Sequence, residues 1–443
     1  MPGRFKLFND PVHGFVSVPK GLVLSLVETP EYQRLRRIRQ LGLGFLVFPG
    51  AVHTRFEHGL GAMALMQEVL VTLREKGTVM DTDEVEGALA AALLHDVGHG
   101  PFSHTLEEQL VPPGPSGARF HHERMSRAIL GRLDRRLGGA LATTLAIFDG
   151  THPRPFFHDL LASQLDMDRL DYLRRDSFYT GVAEGVVGVD RVLKTMRVHP
   201  DAAGAPRLVI EAKGGYAVEN VLLSRRLMYW QVYLHKTVLA ADHLLRSAFA
   251  RARERWGTGD PGLAATAPSL AYFLGTELTA DDVLAPGGIP GEMLDAFCAL
   301  DDTDVLYSLK RWQESSDPIL ADLSRRFVDR RLFRTTYLDE RTDAGTVEAW
   351  REQIAAWLVE QGLSTPSAAE HDAGFYLTTA TARHDTYRAE RGGISILERD
   401  GRLRELSEAS DAPAIGALSA PVLKPFVCVP KEIGLASPAA AGP

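Results

Sequence analysis

The pattern of apolar and polar positions changes character along the chain. Near the start, Val12-His13-Gly14-Phe15-Val16-Ser17-Val18 alternates in part and follows the turn formers Asn9-Asp10-Pro11, which predicts a short strand or hairpin within residues 1–20. Pro30 then suits the first turn of a helix through Ile38. Helical periodicity continues near 56–76, 84–96, 120–137, 158–175 and 215–252. The helix at 84–96 has the clearest ends: Asp81, Thr82 or Asp83 supplies an N-cap, Glu84 and Glu86 suit the positive end of its dipole, and it should stop near Gly98. Val111-Pro112-Pro113-Gly114-Pro115-Ser116-Gly117 cannot continue regular structure and predicts a surface loop.

From about residue 255 the periodicity loosens. Gly257, Gly259, Pro261 and Gly262 make a break, shorter helical segments follow, and Leu332-Phe333-Arg334-Thr335-Thr336-Tyr337 reads as a strand. Gly393–Glu398 and Arg402–Leu406 flank the turn Arg399-Asp400-Gly401 and predict a hairpin, Asp-Gly being its turn signal. The expected fold is mainly α, with a first unit over 1–255 and a smaller C-terminal α+β lobe over 256–443. The tail Ala436–Pro443 has little to bury and is expected to be flexible.

Length supports more than one unit, since 443 residues exceed the size at which a single core usually stops growing. At 45% hydrophobic and 24% charged, the composition is that of an ordinary globular chain and excludes disordered and fibrous classes. A net charge of −8 opposes nonspecific binding to nucleic acid or anionic membranes, so a polyanionic ligand must be met by local positive charge. Arg246–Arg255 is the best basic stretch, and a solvated helix end explains it equally well. Two cysteines, Cys298 and Cys428, make neither a disulfide framework nor a thiolate zinc site, and no apolar run approaches a membrane span. A cytoplasmic protein without a membrane partner is expected.

Seven of the fifteen histidines fall between residues 53 and 122. A single one would read as a hydrogen-bonded core imidazole, but the set has order. The apolar run Ala88–Leu94 ends in His95-Asp96, followed by Val97-Gly98-His99-Gly100-Pro101-Phe102-Ser103-His104. Upstream stands His53-Thr54-Arg55-Phe56-Glu57-His58. Downstream, Asp166-Met167-Asp168-Arg169-Leu170-Asp171-Tyr172 puts Asp168 and Asp171 on one helix face, although alone it could be a solvated face of Asp–Arg pairs. Mixed imidazole and carboxylate donors suit Mn, Mg, Fe, Co, Ni or Zn and disfavour an all-oxygen calcium cage.

His58, His95-Asp96 and the later aspartate resemble the H…HD…D signature of HD-domain phosphohydrolases. Gln40-Leu41-Gly42, Phe48-Pro49-Gly50-Ala51, His53–His58 and His95–His104 are similar to the dNTP triphosphohydrolase branch, over about Asn9 to Lys236. The resemblance implies an HD-domain helical core, with His58, His95, Asp96 and Asp168 as ligands of a divalent metal ion. It implies water attack at the α-phosphorus of a dNTP, giving deoxynucleoside and triphosphate. His99, His104 and His122 are implied in transition-state stabilisation or proton transfer, with Glu107 orienting His122. Arg55, Arg169 and Arg225 would meet the triphosphate. Gln40, with Leu41 beside it, and Asp176 would face the 3′-hydroxyl, Tyr172 the deoxyribose and Tyr233 the base. Tyr229 and Leu234 depart from the branch's His and Gln, leaving base preference open. Asn9, Glu28, Gln33 and Arg36 resemble a nucleotide activator site, Glu28 replacing an Asp, which implies dNTP or dGTP activation and a homo-oligomer, a tetramer. The competing readings are another HD phosphohydrolase, acting on nucleoside monophosphates, cyclic nucleotides or alarmones, and a nucleotide-sensing module without catalysis.

Overall fold

A computed structural model describes residues 4–285, 288–339, 342–387, 392–412, 415, 416, 418 and 420–435. The tail from Ala436 lies outside the described residues. The chain is mainly helical, with a smaller C-terminal region of mixed helix and strand. The N-terminal turn formers close an antiparallel hairpin, Phe5–Asp10 with Gly14–Pro19. At the turn, the Asp10 carboxylate accepts from the amides of Val12 and His13 at 2.9 and 2.8 Å.

Four helices form the frame of the first half: Arg55–Glu75, Thr82–Leu94, His122–Arg136 and Met167–Thr180. Thr82–Leu94 is buried over its last eight residues, and Asp81 caps it in a reciprocal box with Glu84, an arrangement worth about 1 kcal/mol. Three expected helices are corrected. The segment from Pro30 is one α turn, Pro30–Gln33, followed by a 3₁₀ turn, Arg34–Arg37. The stretch 158–175 is two helices, Phe156–Leu161 and Met167–Thr180, because Asp166 takes the amides of Ser163 and Arg169 at 3.0 and 2.7 Å and so starts a new helix. The stretch 215–252 is Gly215–Met228, a π turn Tyr229–Tyr233 and Lys236–Glu254, with His235 capping the last. Periodicity alone does not register such interruptions, since apolar positions resume in phase on either side.

The first half also holds a hairpin that the sequence reading did not anticipate, Met196–Pro200 with Pro206–Glu211. Pro206–Glu211 pairs in parallel with Ser395–Leu397, and that strand pairs antiparallel with Leu403–Glu405, so the expected C-terminal hairpin completes a four-stranded sheet. A three-stranded sheet joins Arg334–Tyr337, Val422–Val429 and Thr378–His384. Among the described residues, no helix is long and apolar enough to cross a membrane.

Two features set the backbone that carries the histidines. Arg34, one of the arginines in the Arg34–Arg39 run, is 1% exposed and donates to the carbonyls of Leu300, Val97 and His99 at 2.7, 3.3 and 2.8 Å. Gly98 lies against the start of His122–Arg136, where an added Cβ would collide with the Ser126 amide and the His122 carbonyl. Gly98→Ala should therefore force the two segments apart, lowering stability by about 1–3 kcal/mol. Thermal unfolding checks this; an unchanged midpoint would refute the close approach.

Candidate metal centre

Local rules bring each donor to the centre. Thr54 precedes the helix Arg55–Glu75, and its amide donates to Glu57 at 2.5 Å, so the helix starts there and His58 falls in its first turn. His95 and Asp96 follow the C-terminal end of Thr82–Leu94; the Ser126 hydroxyl donates to the His95 carbonyl at 2.8 Å and accepts from the Gly98 amide at 2.9 Å. Asp168 lies in the first turn of the helix that Asp166 caps.

The four expected ligands converge. His58 Nε2 lies 3.2 Å from His95 Nε2, 3.0 Å from Asp168 Oδ1 and 3.6 Å from Asp96 Oδ2, and His95 Nε2 lies 3.5 Å from Asp96 Oδ1. The other nitrogen of each imidazole is committed: His58 Nδ1 to Asp171 at 2.7 Å and His95 Nδ1 to the Ala92 carbonyl at 2.8 Å. Those bonds fix tautomers whose Nε2 lone pairs meet at one point beside a carboxylate oxygen. Such a donor set is repulsive unless a cation or a proton occupies the middle, and it fits a divalent metal. Burial opposes charging His58, but its bonds to Asp168 and Asp171 outweigh this and its pKa is pushed up to about 10. Asp168 is driven the other way: burial would raise it, and the bonds from His58 and His95 hold it well below the usual carboxylate range.

A second layer holds these donors. Asp171 is fully buried and also meets His13 at 2.5 Å and Arg175 at 2.8 Å; Arg175 continues to Asp10 at 2.8 Å, tying the N-terminal hairpin to the centre. Arg55 is buried, pairs with Asp96 and donates from Nε to Ser103 Oγ at 2.9 Å. Phe102 and Ser103 sit in the left-handed region, φ 51° and 56°, a strained pair at the start of the His104 turn. Asp302 accepts from the Phe102 and Arg39 amides at 2.8 and 3.0 Å and holds that turn in place. The sequence reading missed His13, Arg175, Ser103 and Asp302. Only Arg175 had a local signal, its spacing of four from Asp171.

His99, His104, Glu107 and His122 form an adjoining cluster. His99 stacks on His122 at 3.7 Å, and Glu107 Oε1 meets His122 Nδ1 at 2.8 Å and His104 Nδ1 at 3.1 Å. His99 Nε2 is 3.3 Å from Asp96 Oδ1; burial, with Arg55 and His122 nearby, holds its pKa well below the usual histidine value, so it is neutral. A cavity of about 930 Å³ opens from His95, Asp96, Asp168 and His122 past Arg169, Arg207 and Arg225 to Gly392–Ser395.

The other expected site residues fall in separate groups. Asp176 meets His53 Nε2 at 2.7 Å and accepts from the Tyr233 hydroxyl at 2.8 Å, and Tyr233 packs edge-on against Tyr172 at 6.1 Å. The Gln40 carboxamide oxygen is buried without a partner among the described residues, and Leu41 beside it is half-buried. Gln40, Leu41, Tyr172, Asp176 and Tyr233 do not line the 930 Å³ cavity. Asn9, Glu28 and Arg36 are exposed; Glu28 pairs with Lys6 at 3.4 Å, while Gln33 accepts from Arg36 at 2.9 Å and Arg36 covers the Phe56 ring at 3.5 Å.

Two outcomes follow for metal binding. Asp171→Asn, which keeps the shape and the acceptor oxygen, should lower metal affinity about 10- to 100-fold with helical content retained, read by metal titration and circular dichroism. Because a cation must displace the His58 proton, apparent affinity should climb with pH up to about 10 and fall about tenfold per unit below it, read by titration at several pH values.

Comparison with known proteins agrees with this geometry. The HD domain matches residues 55–175, and an HD associated region matches 187–261. Over 421 residues the chain is 34% identical to the uncharacterized protein YwfO of Bacillus subtilis, covering 91% of this chain and 88% of that one. A phosphohydrolase crystal structure from Bacteroides thetaiotaomicron superposes with a TM-score of 0.85 at 39% identity, covering 96% of this chain and 99% of that one. The Dictyostelium discoideum homolog of deoxynucleoside triphosphate triphosphohydrolase SAMHD1 is 31% identical over 261 residues, 56% of this chain and 49% of that protein, so the match spans about half its length. A shared signature, full-length likeness to YwfO and one buried donor set lead to the same conclusion: the chain belongs to the HD-domain phosphohydrolases, related to the SAMHD1-like superfamily.

Proposed function

We propose that the protein is a metal-dependent deoxynucleoside triphosphate triphosphohydrolase that releases deoxynucleoside and intact triphosphate. The observation that carries this reading is the cavity that leads from the metal donors past Arg169, Arg207 and Arg225, guanidiniums of a kind that meets phosphate oxygens, although Arg169 also pairs with Asp166 and Arg207 with Asp159. The name of the Dictyostelium relative supports the same substrate class. His58, His95, Asp96 and Asp168 would hold a divalent cation, which when bound would neutralise phosphate charge and make water more acidic. Arg169 and Arg225 bind the triphosphate, and Arg55 keeps Asp96 oriented. His122, with Nδ1 held by Glu107, presents Nε2 to the leaving side for proton transfer, and neutral His99 stacks behind it. The nucleoside is assigned to Tyr172, Asp176, Tyr233, Gln40 and Leu41, as the family resemblance implies, a group outside the lining of the 930 Å³ cavity.

Metal-loaded protein given single dNTPs should release inorganic triphosphate as the first product; pyrophosphate or orthophosphate first would overturn the reading. Glu107→Gln should lower kcat about 100-fold with metal content retained, and Asp96→Ala should lose both metal and turnover.

The proposal extends to regulation. Asn9, Glu28, Gln33 and Arg36 form a dNTP-binding surface on the N-terminal hairpin and the turns beside it, and filling it drives assembly to a tetramer. Light scattering with and without dGTP should show growth that Arg36→Ala weakens while metal affinity is unchanged. Equal assembly of both proteins would remove the activator site.

A further inference from the structure

The C-terminal chain reaches the cavity just past the end of the strand Thr378–His384. His384 is 2% exposed, and its ring stacks on Tyr229 at 3.8 Å and 22°. Two residues on, the Thr386 carbonyl accepts from Arg225 Nη1 at 3.3 Å, and Asp385 between them lines the cavity with Arg225 and Arg169. Arg225 and Tyr229 are one helical turn apart, the guanidinium 5.7 Å from the ring. Tyr229 opens the π turn Tyr229–Tyr233, a backbone irregularity often found at functional sites. Through that turn its ring meets Tyr233 edge-on at 4.9 Å, and Tyr233 reaches Asp176 and Tyr172.

We propose that His384 is a positioning residue of the nucleotide site: its ring sets Tyr229, and through Tyr229 the aromatic wall of Tyr233 and Tyr172, so the C-terminal strand tunes how tightly the nucleoside half of the substrate is held. The inference rests on the triphosphohydrolase reading. Three buried polar atoms along this seam have no hydrogen-bond partner among the described residues, His384 Nε2, Thr386 Oγ1 and Arg225 Nε. Unsatisfied atoms grouped in one place leave room for a water or a polar ligand group to bond there. Burial, with Arg225 and Arg226 nearby, lowers the His384 pKa to about 4, so it stacks as a neutral ring that does not repel Arg225. Arg225 is held by a backbone carbonyl and not by the imidazole. The His384 ring therefore bears on the nucleoside side, and triphosphate contacts stay independent of it.

The test is steady-state hydrolysis of each dNTP by metal-loaded protein, with inorganic triphosphate as a competing inhibitor. His384→Ala should raise KM about 2- to 12-fold, the worth of one aromatic pair, with kcat within about twofold and triphosphate inhibition unchanged. His384→Phe, which keeps the stack, should restore KM. Tyr229→Leu removes the same contact from the other side; its KM should rise likewise, and the double variant should rise no further. If His384→Ala unfolds, the His384→Phe and Tyr229→Leu pair still decides. An unchanged KM, an equal weakening of triphosphate inhibition, or a Phe variant no better than Ala overturns the positioning role. Unmodified protein that frees no triphosphate from any dNTP overturns the triphosphohydrolase reading itself, and this inference falls with it.

Discussion

The buried Asp171 carboxylate is the interaction on which the rest of the centre depends. It receives His58 Nδ1, His13 and Arg175 in a pocket with no water-exposed surface, and it thereby decides which nitrogen of His58 faces the donor set. A carboxylate that far from solvent is tolerable only when cations and N–H groups surround it; Arg175 supplies the charge and holds the Asp171 pKa well below normal against its burial. Arg175 also spans to Asp10 in the first hairpin, so the N-terminal strands and the metal centre are one mechanical unit.

Around that anchor the protein gathers groups that repel one another. Two imidazole nitrogens and two carboxylates meet within 3.0–3.6 Å, and the adjoining imidazoles of His99 and His122 stack beside them. Such crowding persists because distant elements over-determine it. Arg55 braces Asp96, Ser103 braces Arg55, and Asp302 holds the left-handed turn that presents Ser103. Arg34 ties the carbonyls of the HD turn to Leu300. The second half of the chain is thus part of what keeps the centre in shape.

Much of this was legible in the residues. The capping signal at Asp81 is local, so the start of the helix that leads to His95 and Asp96 is set by neighbours a few positions away. The order of His58, His95-Asp96 and the later aspartate carried the donor set through its resemblance to the HD signature, and the structure brings those side chains together. The interruptions at Ala162–Asp166 and Tyr229–His235 were not legible as breaks, because a capping aspartate inside a helical pattern looks like one more polar face.

The sequence by itself determined the capped start of Thr82–Leu94, the donor types and the acidic character that makes local arginines necessary. Only the tertiary structure decided which donors share a tautomer-fixing partner, that His13, Ser103 and Asp302 reach the centre, that His384 stacks on Tyr229, and that strands from residues 196–211 and 395–405 close one sheet beside the cavity. Capping and periodicity depend on contacts within a turn or two of chain. Asp302 and Phe102 are 200 positions apart, and the bond between them forms only when the whole chain has found its packing.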